Sequence, residues 1–226
     1  MSEPAGSATV PTGVLGDQDW YRWHAPYDEL ISEQSDRLAA VQDVIGSVLD
    51  AAPAGRLRAV SICSGQARDL LPMLINHPRG RDFRVRMIEL DPLNASFLHG
   101  ALGSTDLPDV EVLVADAGLT DSYPGAVPAD LVLISGPFAH LDADDLSRTI
   151  EALDQLCTTG ASVVWSSYGS GLAHLDLVLA AFSEAGFTRT ALERGPAGEF
   201  VVGAHRFDAE PATLIPGRRL FTFGPA

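Results

Sequence analysis

"SICSGQARDLLPML", residues 61–74, is the stretch whose reading decides the fold. An apolar run, Leu57–Cys63, meets small residues at Ser64, Gly65 and Ala67, and a helix-forming stretch follows. A buried strand that passes through small residues into a helix is the first turn of a parallel α/β unit. Helix N-terminal amides at such a turn can face a ligand. Gly65 removes a side chain where backbone must approach closely. Yet one glycine stands where a dinucleotide loop places three. The turn alone therefore leaves two readings open, a cofactor cradle or an ordinary strand-to-helix connection.

Working outward, the chain alternates. Strand candidates are 57–63, 84–89, 110–115, 130–135 and 161–166. Helix candidates are about 30–50, 68–76, 92–103, 143–157 and 171–185, with an irregular segment at 117–129. Leu38, Val41, Ile45 and Val48 repeat at helical spacing, as do Leu146, Ile150, Leu153 and Leu156. Near-continuous apolar strands alternating with helices predict a parallel sheet covered on both faces. The ending differs: "TRTALER", "GPAGE" and "FVVGAHRF" read as strand, turn, strand, an antiparallel hairpin closing the sheet edge. Residues 1–19 read as a flexible arm, and 20–226 as one domain that opens on an aromatic and helical segment, 20–50. The apolar "RLFTF" near the end is expected to pack back on the domain.

The 226 residues carry a formal charge of −15, and every basic side chain is Arg. Without Lys, Schiff-base and P-loop chemistry lose their essential residue. Without clustered positive charge, nucleic acid is disfavoured as a partner. No apolar run reaches membrane-spanning length, and no signal peptide is recognised at the N-terminus, so no membrane partner and a cytoplasmic location are expected. Cys63 and Cys157 show no CxxC or Cys/His spacing, and no metal site is expected. A small-molecule partner is favoured, with a homodimer as the assembly left open.

In an open α/β sheet, ligands bind beyond the carboxyl ends of the strands, at the switch in strand order. Cys63, Ser64, Gly65 and Ala67 end the first strand there. "IELDP" ends the second, and an acid at Glu89, some 24 residues after Gly65, suits two ribose hydroxyls. Asp116 in "LVADAG" ends the third, placed to accept from an exocyclic adenine amine, with the backbone at Ala117 beside it. Taken singly, each has a blander reading: many such turns hold one glycine, and Glu89 or Asp91 equally suits a helix N-cap.

Together these stretches resemble the class I S-adenosylmethionine-dependent methyltransferases. "VSICSGQARDLL" stands where that family has an acid followed by G-x-G-x-G. "MIELDPLN", "VADAG" and "ADLVLISGPFAHLDADD" resemble its second, third and fourth motifs. More narrowly, "WYRWHAPYD" with "SICSGQARDLL" and "AVPADLVL" looks like a small actinobacterial-type group. Ser61 departs from the family acid, and Cys63 and Ala67 replace two of its glycines. The resemblance implies a Rossmann-like three-layer sandwich around a mostly parallel seven-stranded sheet with an antiparallel C-terminal hairpin. It implies S-adenosyl-L-methionine as cofactor, held by Tyr27, the 63–67 turn, Glu89, Leu90, Asp116, Ala117, Ser135 and Gly136.

The implied reaction is methyl transfer to an oxygen or nitrogen of a small molecule. His140 is the first candidate for a general base by residue type, or equally a surface histidine at a helix entry, with His24 as the alternative base. The resemblance also implies that segment 20–50 forms a lid, so Trp20, Trp23 and Tyr27 read as lid residues or equally as aromatic anchors. Trp23, Phe138, Trp165 and Tyr168 are candidates for the acceptor pocket, with sheet packing as the other reading. Arg22 and Arg68 could meet an acceptor carboxylate, although surface pairing is the blander fate, and Asp69 is expected to support the following helix. Three other functions remain open: a non-methylating use of the same cofactor, an NAD-dependent reductase and a non-catalytic interaction module.

Overall fold

The protein is described by a computed structural model covering residues 19–29 and 31–222. The expected arm, apart from Asp19, lies outside the described residues. Strands β1 (Leu57–Ile62), β2 (Phe83–Glu89), β3 (Val110–Val114), β4 (Ala129–Ser135), β5 (Cys157–Tyr168), β6 (Phe187–Arg194) and β7 (Phe200–Phe207) form one sheet. Its order is β3-β2-β1-β4-β5-β7-β6. β1 to β5 run parallel, and β7 is antiparallel to both β5 and β6. This is the expected Rossmann-like architecture. β7 inserts between β5 and β6, so the sheet edge falls on β6.

Both faces are apolar because both are covered. Along β4, Val132 and Ile134 face one core while Leu131 and Leu133 face the other. Helices α1 (Glu33–Ala51), α2 (Leu71–Asn76) and α3 (Pro92–Gly103) cover one side. Helices α4 (Ala143–Glu151) and α5 (Leu175–Glu184) cover the other. α1 starts where Ser32 accepts the Ser35 N–H, and its buried stripe is Arg37, Val41, Val44, Ile45 and Leu49. α3 starts where Asp91 accepts the N–H groups of Leu93 and Asn94, with Pro92 at its first position. Among the described residues, no helix is long and apolar enough to cross a membrane.

Several predicted boundaries move. The helix expected over 30–50 begins at Glu33, and residues Arg22–Asp28 before it form a 3-10 segment. The helix expected over 68–76 begins only at Leu71, because the turn after β1 consumes the residues before it. The helix expected over 143–157 stops at Glu151 and tightens into a 3-10 turn, Ala152–Gln155. Leu153 and Leu156 remain fully buried there, so apolar spacing alone could not mark the change. Cys157 already pairs with Ala129, which makes β5 longer than the predicted 161–166. The helix expected over 171–185 is likewise split, 3-10 over Gly169–His174 and α-helical from Leu175. The "RLFTF" segment packs back as expected, with Leu220 and Phe221 buried.

Gly203 of β7 lies against the Trp165 ring, where an added Cβ would come within 2.4 Å of two ring carbons. Trp165 is boxed in by Phe138 and Phe182, so it has no room to yield. Gly203→Ala is therefore expected to destabilise the fold by about 1–3 kcal/mol, measured by urea unfolding. A midpoint equal to that of the parent would show that β7 does not seat against Trp165 in this way.

Candidate functional site

Strand order reverses between β1, which pairs with β2 on one side, and β4 on the other. A cleft opens above the carboxyl ends at this point, enclosing about 1060 Å³ of empty space, part of it open to solvent. Its floor is the turn after β1. Cys63, Gly65 and Ala67 have φ of 53°, 54° and 46°, all left-handed. All three are positions where the resembled family has glycine, and two of them hold another residue here. The conformation that glycine allows is thus retained, at a steric cost, by a cysteine and an alanine. The turn is tied down by the Ser64 N–H donating to the Ile88 carbonyl at 2.9 Å and the Ala67 N–H to the Ser64 carbonyl at 2.8 Å.

Glu89, at the end of β2, is only 7% exposed. Its Oε2 accepts the Gly65 N–H at 2.6 Å, and its Oε1 accepts the Asp91 N–H at 2.8 Å. Each oxygen keeps a further lone pair for a hydroxyl donor. Burial pushes this carboxyl up to about 7, while the N–H groups of Asp91 and Gly65 pull it down. Leu90, Asp116 and Ala117 continue the wall.

At the β3 end the C-terminal segment closes the cleft. Arg219 Nη1 pairs with Asp116 Oδ2 at 2.6 Å, and the Gly118 N–H donates to Asp116 Oδ1 at 2.8 Å. The Leu220 N–H donates to the Gly118 carbonyl and the Thr222 N–H to Asp145 Oδ2. A Cβ on Gly118 would reach the Phe221 carbonyl at 2.3 Å, so the segment lies directly on this loop. Arg219, Phe221 and Thr222 all line the cleft. The packing back of "RLFTF" was legible in the sequence; its contribution to the site was not.

The aromatic segment covers the opposite end. Trp20, Trp23, His24 and Tyr27 line the cleft, as do Ser135, Gly136, His140 and Tyr168 across from them. Arg68 holds the segment down through Asp28, at 2.6 and 3.2 Å, so this guanidinium is spent on a latch. Arg22 pairs with Asp19 on the surface. Asp69 accepts the Leu70 N–H at the start of the next helix, as expected of a supporting residue, and lines the cleft as well.

The two histidines part ways. His24 Nδ1 meets the Trp20 carbonyl at 2.8 Å, an acceptor, and Nε2 meets the Gln66 N–H at 3.4 Å, a donor. Nδ1 therefore carries the proton, and the Nε2 lone pair is directed at the backbone. Burial also holds this imidazole below its ordinary range. His24 serves as a second latch between lid and turn, which removes it as the free base expected above. His140 Nε2 lies 2.7 Å from the Tyr168 hydroxyl, with Trp20 edge-on at 5.1 Å. Burial, and then the charge of Arg37, lower its pKa.

Two expected acceptor residues lie elsewhere. Trp165 and Phe138 are fully buried and pack on Phe182 in the core beneath α5. The Trp165 Nε1–H donates to His205 Nδ1 at 3.1 Å, inside the sheet layer. Side chains alternate along a strand, so Trp165 turns to the core while the terminal Tyr168 reaches the cleft. The sequence reading missed Arg37, a charged residue on the apolar stripe of α1, which also lines the cleft. Its breach of that stripe was the available signal.

No family model and no curated protein matches the chain. Solved structures do. The magnesium protoporphyrin IX methyltransferase ChlM from Synechocystis PCC 6803, with bound SAM, aligns at a TM-score of 0.64 and 11% identity, covering 84% of this chain and 92% of that one. The CurJ carbon methyltransferase aligns at 0.64 and 14%, covering 84% of this chain and 57% of that chain. The cyclopropane synthase MmaA2 from Mycobacterium tuberculosis aligns at 0.55 and 13%, covering 74% and 66%. At these identities the likeness is one of fold.

The left-handed turn gives a test of its own. Ala67→Gly ordinarily costs stability through chain entropy, but here it also relieves a left-handed alanine. The expected outcome lies between neutral and about 1 kcal/mol of stabilisation by urea unfolding. A clear loss of stability would place Ala67 in an ordinary conformation.

Proposed function

We propose that the chain is an S-adenosylmethionine-dependent methyltransferase acting on an oxygen or nitrogen of a small molecule. The observation that carries this reading is the buried Glu89 carboxylate at the end of β2, hydrogen-bonded to the Gly65 turn and open to two further donors. The residues present fit an adenosine-bearing ligand. Glu89 suits the ribose, Leu90, Asp116 and Ala117 the base, and the 63–67 turn with Ser135 and Gly136 the methionine end. Tyr27 would close over it.

When bound, the cofactor supplies a methyl group activated by a sulfonium charge. The lid segment and the C-terminal segment exclude water, and the aromatic walls align the acceptor for an in-line displacement. Trp23 and Tyr168 are assigned to the acceptor side. His140 acts as the base through Tyr168: the Tyr168 hydroxyl passes its proton to Nε2 and takes the acceptor's proton in its place.

Calorimetry with S-adenosylhomocysteine and with NAD tests the reading: the first is expected to bind and the second is not. Loss of the charged acceptor in Glu89→Gln is expected to weaken S-adenosylhomocysteine by about 1.5–3 kcal/mol. Ribose hydroxyls donate to the ionised carboxylate, so binding draws on the deprotonated form. Affinity is full above about pH 7 and falls as pH drops through that value. The expected fall is about tenfold between pH ~8 and pH ~6, and Glu89→Gln flattens it. A parent profile without this slope would remove Glu89 from the ribose.

With an acceptor in hand, His140→Asn is expected to lower turnover by roughly 10²–10⁴-fold while S-adenosylhomocysteine affinity holds. Parental activity falls as pH drops through the imidazole's lowered pKa. Unchanged turnover in His140→Asn would leave alignment and desolvation as the source of rate.

A further inference from the structure

Arg37 is 3% exposed, on the buried stripe of α1, and its guanidinium lines the cleft. Tyr168 lies under it at 3.8 Å, with Trp23 at 5.7 Å and Tyr27 at 5.9 Å completing an aromatic cage. Nη2 donates to the Tyr27 hydroxyl at 2.5 Å. Nη1 is buried and, among the described residues, has no hydrogen-bond partner. The other two arginines lining the cleft are neutralised, Arg68 by Asp28 and Arg219 by Asp116. Arg37 forms no ion pair among the described residues. Asp69 lines the same cleft and feels the charge of Arg37, but the two form no ion pair: its carboxyl accepts the Leu70 N–H and is pushed up by burial.

A guanidinium keeps its charge at ordinary pH, and a buried charge is tolerated when it is paired and hydrogen-bonded. Cation–π contact with Tyr168 offsets part of that cost and fixes the guanidinium plane. It cannot satisfy a donor at the guanidinium edge. What the cage lacks is an acceptor carrying negative charge, and a carboxylate meets an arginine edge with matching geometry.

We propose that Arg37 is an anion receptor built into the cleft, binding a carboxylate of the small molecule that enters it. Resting on the methyltransferase reading, that carboxylate belongs either to the methionine end of the cofactor or to the methyl acceptor. The cage of Trp23, Tyr27 and Tyr168 holds the guanidinium in one orientation for either.

Titrations on the full chain separate these sources. S-adenosylhomocysteine is compared with 5′-methylthioadenosine, which lacks the amino acid, and with decarboxylated S-adenosylmethionine. Benzoate is titrated into the chain alone and into the chain loaded with S-adenosylhomocysteine. Arg37→Met removes the charge at similar length, and Arg37→Lys keeps it. If the cofactor's carboxylate is the ligand, Arg37→Met weakens S-adenosylhomocysteine by about 10- to 100-fold. It leaves 5′-methylthioadenosine unchanged, and Arg37→Lys restores part of the loss. If the acceptor's carboxylate is the ligand, S-adenosylhomocysteine is unaffected, and benzoate binding is lost in Arg37→Met.

Should Arg37→Met fail to fold, the decarboxylated analogue on the parent and the Arg37→Lys variant carry the same comparison. The proposal is overturned if neither S-adenosylhomocysteine nor benzoate depends on Arg37. Failure of S-adenosylhomocysteine to bind at all sinks the methyltransferase reading, and the benzoate titration of the unloaded chain still decides the role of Arg37.

Discussion

The site depends on one buried carboxylate. Glu89 closes the end of β2 by accepting the Asp91 N–H, and it reaches across to accept the Gly65 N–H in the turn after β1. Two strand ends are thereby locked in register at the place where the sheet order reverses. Backbone donors replace part of the water the carboxylate gave up, and burial still pushes it up to about 7. The same oxygens then face the cleft with capacity to spare. One group thus holds the scaffold together and presents lone pairs to the cleft.

The two ends of the cleft are closed by parts of the chain far apart in sequence. Arg68 and His24 draw the aromatic segment onto the turn after β1. Arg219 draws the C-terminal segment onto the loop after β3. In a chain with twice as many acids as arginines, carboxylate partners are plentiful and cations are scarce. Each arginine lining the cleft is therefore informative by whether it is paired. The individual ion pairs, partly exposed, add little stability. Their effect is positional, fixing which aromatic rings face inward.

Much of the architecture was legible because β4 is apolar on both faces, β1 and β2 are mostly apolar toward their carboxyl ends, and those ends carry the expected small or acidic residues. The hairpin was legible from its turn residues. Helix ends were less so, since Leu153 and Leu156 keep their burial whether the backbone is α or 3-10. In the site, residues at strand termini were readable because topology puts all parallel carboxyl ends on one side. Trp165 was misplaced because residue type cannot tell which face of β5 it takes three residues before the strand ends. Arg37 was missed because an arginine in an apolar stripe reads as a snorkelling surface residue until burial is known. The lid latches join segments about 40 residues apart and the Arg219–Asp116 pair segments about 100 apart, and no local pattern encodes those pairings.

The seating of His24 on the turn has an evolutionary consequence. A Cβ at position 65 would lie 2.4 Å from the His24 Nε2, so a side chain at 65 and an imidazole at 24 exclude each other. The positive φ at 65 already favours glycine. In chains descended from a common ancestor, a departure from glycine at 65 should accompany a smaller residue at 24, while position 24 can drift without disturbing 65. The two sites should thus co-vary in one direction only. That asymmetry can be read in an alignment by counting which of the two changes alone.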